Sequence, residues 1–189
     1  MKHLLVIGFT LPLLAQQPAT FKGFKLGGTQ AEAKTIEELD CKVNRVHASL
    51  ASCRQPMPDL SPSKVRSGGL KSSAWDIGGA FVIPSFEFID DSLVDLHGYF
   101  QSGSFDILKD VFETKYGKPS SDLKSPVQNG LGNTFTNEVV TWRTGSIVVQ
   151  ITKFNGSIKD GGFDVYPSAH FAKLQKGSDE MKKKAAAGL

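Results

Sequence analysis

Between residues 104 and 116 the side chains Phe105, Leu108, Val111, Phe112 and Tyr116 recur at spacings of three and four, and Lys109, Asp110, Glu113 and Lys115 fill the positions between them. This is the period of an amphipathic helix. Ser104 stands where an N-cap residue is favoured, Asp106 lies in the first turn, where the helix dipole favours a carboxylate, and Gly117 with Pro119 supplies a stop. The spacing predicts a helix over 104–116, with Ile107 at the edge of its stripe, as the central core element. Each large side chain buried on that stripe contributes about 1.5–3 kcal/mol. A shorter helix is predicted over 30–40: Thr29-Gln30-Ala31-Glu32 is a capping box, and Ala33, Ile36 and Leu39 follow at a spacing of three.

Elsewhere the period is two, the signature of strands. Phe21, Phe24 and Leu26, flanking Gly23 and ending at Gly27-Gly28, mark a short first strand. Ala80–Ile83 and Phe86–Ile89 read as strand segments broken by Pro84, and Asp90-Asp91-Ser92 reads as a turn. The chain then returns through Leu93–Phe100, with Val94, Leu96 and Phe100 on one face and Asp95 and His97 on the other. Residues 138–142 and 146–152 are β-branched runs joined by Arg143-Thr144-Gly145, a hairpin turn. Asn155-Gly156 is a second turn, and 163–166 is a last short strand. Two stretches lack a period: 54–74, with Pro56, Pro58, Pro62 and Gly68-Gly69, and the polar 118–134. Beyond Phe171 the sizeable apolar anchors are Leu174 and Met181, so 172–189 reads as a flexible basic tail. The class is α+β: an antiparallel sheet with helices packed on one face, in one domain over 21–171. A loose echo between FKLGGTQAEAKTIEEL and FQSGSFDILKDVFETKYG points to two degenerate helix-plus-sheet modules, 21–83 and 84–171.

The first fifteen residues change the compartment. Lys2 and His3 precede the apolar run Leu4–Leu14, and Ala15 offers a small residue for cleavage. That run is shorter than the roughly 20 residues a membrane span needs and fits a secretory signal, so the protein is expected to be periplasmic or secreted. In an oxidising compartment Cys41 and Cys53 are expected to form a disulfide, worth about 3 kcal/mol for so short a loop. The 189 residues are 40% apolar and 22% charged, which excludes wholesale disorder. A net charge of +3 is too balanced for a dedicated nucleic-acid binder, and no further stretch reaches transmembrane length.

Several spaced features resemble a set of uncharacterised small exported bacterial proteins. Phe24-Lys25-Leu26-Gly27 before the capping box resembles their opening, and Phe86-Glu87-Phe88, Asp91-Ser92-Leu93, Phe100, Phe105 and Leu108 resemble their centre. Lys115-Tyr116-Gly117-Lys118-Pro119 matches their recurrent KYGKP, and Trp142, Ile147–Ile151 and Tyr166-Pro167-Ser168 complete the pattern. The architecture so implied is similar to the helix-plus-antiparallel-sheet modules of beta-lactamase inhibitory protein and of small outer-membrane assembly lipoproteins. The resemblance implies a binding protein, and it assigns no binding residue by position.

Candidate chemistry is sparse. Nucleophile-elbow, phosphate-loop, dinucleotide and zinc-protease motifs are absent from the sequence. Asp90, Asp91, Asp95 and His97 form the one acidic and histidine cluster, and Asp95 and His97, two apart on a strand, share a face. Arg54, Lys64, Arg66 and Lys71 make 54–74 basic, against Asp59 alone, and are the candidate partner-binding residues. The function expected is an exported, non-enzymatic binding module for a protein or envelope partner, an inhibitor being one form of it. It has no catalytic residue, metal or cofactor assigned. The alternatives are a small metal-dependent or acid/base hydrolase centred on Asp91, Asp95 and His97, and a structural cell-envelope component.

Overall fold

The computed structural model describes residues 19–44, 47–56 and 74–187. The expected signal segment 1–15 and three of the four basic candidates, Lys64, Arg66 and Lys71, lie outside them. In chain order the described residues form a small hairpin of β1 (Thr20–Phe21) and β2 (Phe24–Lys25), helix α1 (Gln30–Ile36), and strands β3 (Asp40–Val43), β4 (Leu50–Arg54), β5 (Trp75–Ile77), β6 (Ala80–Ile89) and β7 (Ser92–Gln101). A 3-10 turn (Ser102–Ser104) leads into helix α2 (Phe105–Tyr116). Strands β8 (Ser121–Gln128), β9 (Thr134–Thr144), β10 (Ile147–Thr152) and β11 (Asp160–Pro167) follow, then helix α3 (Ser168–Ala187).

The class is α+β. Nine strands make one antiparallel sheet in the order β3-β4-β6-β7-β11-β10-β9-β8, with β5 pairing the first half of β6. Among the described residues no helix is long and apolar enough to cross a membrane. Inner-face side chains of the strands meet α2 and the β1–β2 hairpin in a Phe-rich core. Phe112 is its hub: its ring lies edge-on to Phe163 at 5.3 Å, Trp142 at 5.8 Å and Phe21 at 6.3 Å. The expected disulfide forms between Cys41 and Cys53, which stand directly opposite on β3 and β4 with Cα atoms 4.0 Å apart.

The α2 helix forms where its period places it, burying Phe105, Leu108 and Phe112, while Val111 is only partly buried. Ser104 makes no side-chain cap bond, because it closes the preceding 3-10 turn. The Gly117 amide donates to the Glu113 carbonyl (2.8 Å), and its φ of 77° is the left-handed geometry that glycine tolerates best. The Trp142 indole donates to the Gly117 carbonyl (2.9 Å), fastening the helix end to β9. In α1 the capping box is complete: Thr29 Oγ1 accepts from the Glu32 amide (3.1 Å), and Glu32 Oε2 from the Thr29 amide (2.7 Å). That helix stops at Ile36 instead of running to 40. Glu37 turns out in extended geometry, and its carboxylate accepts from the Trp75 indole (2.7 Å) and from the Gln55 amide.

Three strand expectations need correction. Pro84 does not break β6, which pairs with β5 over 80–82 and with β4 over 85–89, so that Pro84 falls at the junction where neither neighbour flanks it. A β-bulge at Glu87/Phe88 pairs Glu87 with Asp95 but Phe88 with Leu93. Val94 is the extra residue, so Leu93, not Val94, joins Leu96 and Phe100 inside. The expected polar loop 118–134 contains β8, an edge strand paired to β9 from Ser121–Thr141 to Gln128–Thr134. No residue of β8 is buried, so it has no hydrophobic period to read, and its Pro126 sits where edge strands tolerate proline.

The helices are not confined to one face. Phe171 of α3 is buried against Tyr166 (ring centroids 5.6 Å) and beneath the Arg143 guanidinium (4.7 Å), both on the sheet surface opposite α2. Beyond that anchor the segment expected as a flexible tail continues α3 to Ala187, with no other buried residue.

Candidate functional site

Strand alternation and the ladder registers decide what the outer face of the sheet displays. One cross-strand row runs Arg54, Ser85, His97, Asp164, Gln150, Thr141. On one side of it Ser52, Glu87 and Asp95 stand opposite one another across β4, β6 and β7. On the other side Ile83, Tyr99, Gly162 and Thr152 do the same across β6, β7, β11 and β10. The outer face thus has a polar, acidic region near α3 and an apolar region towards the start of β6.

In the polar region the His97 Nδ1 contacts Asp164 Oδ1, the side chains being 15% and 18% exposed. The His97 ring lies on Gly162, where a Cβ would come within 3.1 Å of its Cε1 and 2.5 Å of the Asn155 amide nitrogen. Asp95, Asp164 and His97 offer ligand atoms all within 4.8 Å of one another. Asp95 Oδ1 is buried with no hydrogen-bond donor, and His97 Nε2 is likewise unpartnered. Burial pushes the Asp95 carboxyl up to about 8, with the Asp164 and Glu87 carboxylates adding to the rise. The Tyr166 phenol is driven well above its usual range by burial, then by Asp164 and Asp95, by its hydrogen bond to Asp164, and by Glu87. Burial lowers the His170 imidazole on α3, against the pull of Glu87 and with the help of Lys173. Chemically, this is a half-buried concentration of carboxylate with one imidazole, suited to sharing protons or to holding a cation.

The apolar region is the contrasting surface. Phe81, Ile83 and Tyr99 are 68%, 58% and 50% exposed, and Ile83 stands directly opposite Tyr99. Together with Gly79, Gln101, Ser104 and Asp160 they line an open concavity of about 400 Å³.

The sequence candidates scatter across this picture. Asp95 and His97 come together as their spacing requires. Asp91 does not join them: it sits in the β6–β7 turn with φ 59°, and its Oδ1 accepts from the Gln30 amide (3.0 Å) at the start of α1. Asp90 occupies the same turn. Arg54 is exposed at the end of β4, in the row of His97 and Asp164. Asp164, Glu87, Tyr166 and His170 were not read as site residues, although Asp164 between Phe163 and Val165 is the polar, outward position of an alternating strand. Phe81, Ile83 and Tyr99 were also missed, since single exposed apolar residues mean little until a sheet sets them side by side. No family model, curated protein or solved structure matches the chain.

Proposed function

We propose that the chain is an exported, non-enzymatic binding module that engages a protein partner through the outer face of its sheet, with Phe81, Ile83 and Tyr99 at the centre of contact. The observation that carries this reading is their joint exposure on adjacent strands around one concavity. Contiguous exposed apolar side chains mark interaction surfaces, and a tyrosine beside aliphatic and phenyl groups is a typical energetic centre of one. Full burial of each would contribute about 1.5–3 kcal/mol, before the cost of association. Export is supported by the signal-like residues 1–15 and by the Cys41–Cys53 disulfide.

The sheet order supports a two-module origin. The strands β3-β4-β6-β7 follow α1, and β8-β9-β10-β11 follow α2, with the last strand of each set pairing in the middle of the sheet. The join then falls between Gln101 and Ser102, because residues 83 and 84 lie inside β6. This agrees with the resemblance to helix-plus-sheet binding modules. The hydrolase alternative retains Asp95 and His97 but loses Asp91 to the α1 start. A purely structural envelope role has no residue-level observation behind it.

The test is a triple variant, Phe81→Ser, Ile83→Ser and Tyr99→Ser, compared with the unaltered protein as bait in an extract of the envelope or culture fluid. These side chains lie outside the core, so the variant should melt cooperatively. It should also lose the partner. A partner retained equally by both baits would refute the reading.

A further inference from the structure

We propose that Asp95, His97 and Asp164 form a binding site for a divalent transition-metal ion of the zinc, cobalt or nickel kind. The site borders the apolar contact surface, the His97 ring packing on Tyr99 with ring centroids 4.0 Å apart. Its geometry comes from the β ladder: Asp164 stands directly opposite His97, and Asp95 lies two residues back on the same face of β7. Both strands are in the middle of the sheet, so the backbone fixes the spacing before any ion arrives. The ligand atoms, within 4.8 Å of one another, can converge on one ion with small side-chain rotations. His97 Nδ1 is the nitrogen facing the carboxylates and is the ligand the ring supplies.

Two observations separate this cluster from an ordinary polar surface. Asp95 Oδ1 is buried without a donor, whereas buried carboxylate oxygens are normally satisfied. Among the described residues, neither Asp95 nor Asp164 is ion-paired to a lysine or arginine; the ion-pair contact of Asp164 is to the His97 imidazole. Glu87, directly across from Asp95, adds a third carboxylate to the same neighbourhood. A divalent cation would supply the missing partner for Asp95 Oδ1 and offset the carboxylate charge. One imidazole and two carboxylates suit zinc-like ions better than calcium or magnesium, which prefer all-oxygen sites. His97 and Asp164 retain enough exposure for the ion to enter and for water to complete its coordination.

The experiment uses the full, disulfide-bonded protein, stripped with chelator and titrated calorimetrically with Zn²⁺. A parallel Co²⁺ titration is followed by visible absorption, which reports the ligand field directly. One equivalent of each ion should bind, and Ca²⁺ at the same concentrations should not. His97→Gln and Asp164→Asn should each weaken Zn²⁺ binding by more than tenfold, since even outer partners of metal ligands cost roughly 10–100-fold. His47→Gln, remote from the cluster, should bind as the unaltered protein does. If one variant fails to give a cooperative melt, the other carries the comparison, and the Co²⁺ spectrum of the unaltered protein tests nitrogen ligation without any substitution. Absence of saturable Zn²⁺ binding at millimolar concentration would overturn the proposal. So would one-equivalent binding that both folded variants retain.

Discussion

Replacing Gly98 with alanine should destabilise the protein sharply, although it adds one methyl group. Gly98 lies on β7 between His97 and Tyr99, directly opposite Phe163 of β11, and the phenyl ring of Phe163 covers it. A Cβ there would stand 2.4 Å from Phe163 Cε1, 2.5 Å from its Cζ and 2.7 Å from Val82 Cγ1. None of these can yield cheaply. Phe163 and Val82 are fully buried, and the Phe163 ring is wedged edge-on against Phe112. Overpacking of this kind costs about 1–3 kcal/mol, and the rigidity of the walls puts Gly98→Ala at the upper end. At roughly 2–4 °C per kcal/mol for a chain of this size, the thermal midpoint should fall by about 6–12 °C. Two further glycines make the experiment internally controlled. A Cβ on Gly103, in the 3-10 turn, meets nothing within 4 Å, so Gly103→Ala should leave the midpoint nearly unchanged. A Cβ on Gly162 meets the ends of the Asn155 and His97 side chains, so Gly162→Ala should displace His97 while costing less stability than Gly98→Ala. Differential scanning calorimetry of the three variants reads their order of stability. An unshifted midpoint for Gly98→Ala, or equal shifts for Gly98→Ala and Gly103→Ala, would refute the β7–β11 packing on which the outer face depends.

Phe112→Ala should cost about 3–5 kcal/mol in denaturant unfolding, because it empties the hub of the aromatic core. Replacing both Cys41 and Cys53 by serine should lower stability by about 2–5 kcal/mol without changing the fold, as judged by calorimetry and far-ultraviolet circular dichroism. With ions removed by chelator, Asp95 makes stability fall as the pH rises. The folded protein keeps its proton up to about 8, whereas the unfolded chain releases it near 3.8, so the native state binds more protons across that window. Asp95→Asn should flatten the decline between pH 4 and pH 8; an unaltered slope in that variant would contradict the assigned environment.

Local signals carried much of the fold. The three-and-four stripe of α2, the Thr29–Glu32 box and the cysteine pair all act within a few turns or on one hairpin, and each appears in the structure where the sequence puts it. What escaped the sequence depends on partners far along the chain. The early end of α1 reflects the grip of Trp75, 38 residues away, on Glu37. Strand β8 is held by its ladder to β9 and by Lys109 of α2, which is bonded to Asp122 (3.0 Å) on β8 and Glu138 (2.5 Å) on β9, so its own residues needed no apolar alternation. The bulge that demotes Val94 is a property of a strand pair and leaves no mark on either strand's composition. The site divides the same way: Asp95 and His97 were a readable pair, whereas Asp164 reaches His97 across 67 residues and only the β7–β11 ladder brings it there.

The most direct test of the outer-face binding surface is site-specific photo-crosslinking. A photoreactive side chain is placed at Tyr99, at Ile83 or, as a control, at Leu123, which is 65% exposed on the far edge strand β8. Each protein is irradiated in an extract of the envelope or the culture fluid. One discrete crosslinked partner is expected from positions 99 and 83 and none from position 123. The same partner crosslinking from position 123 but from neither 99 nor 83 would contradict outer-face binding.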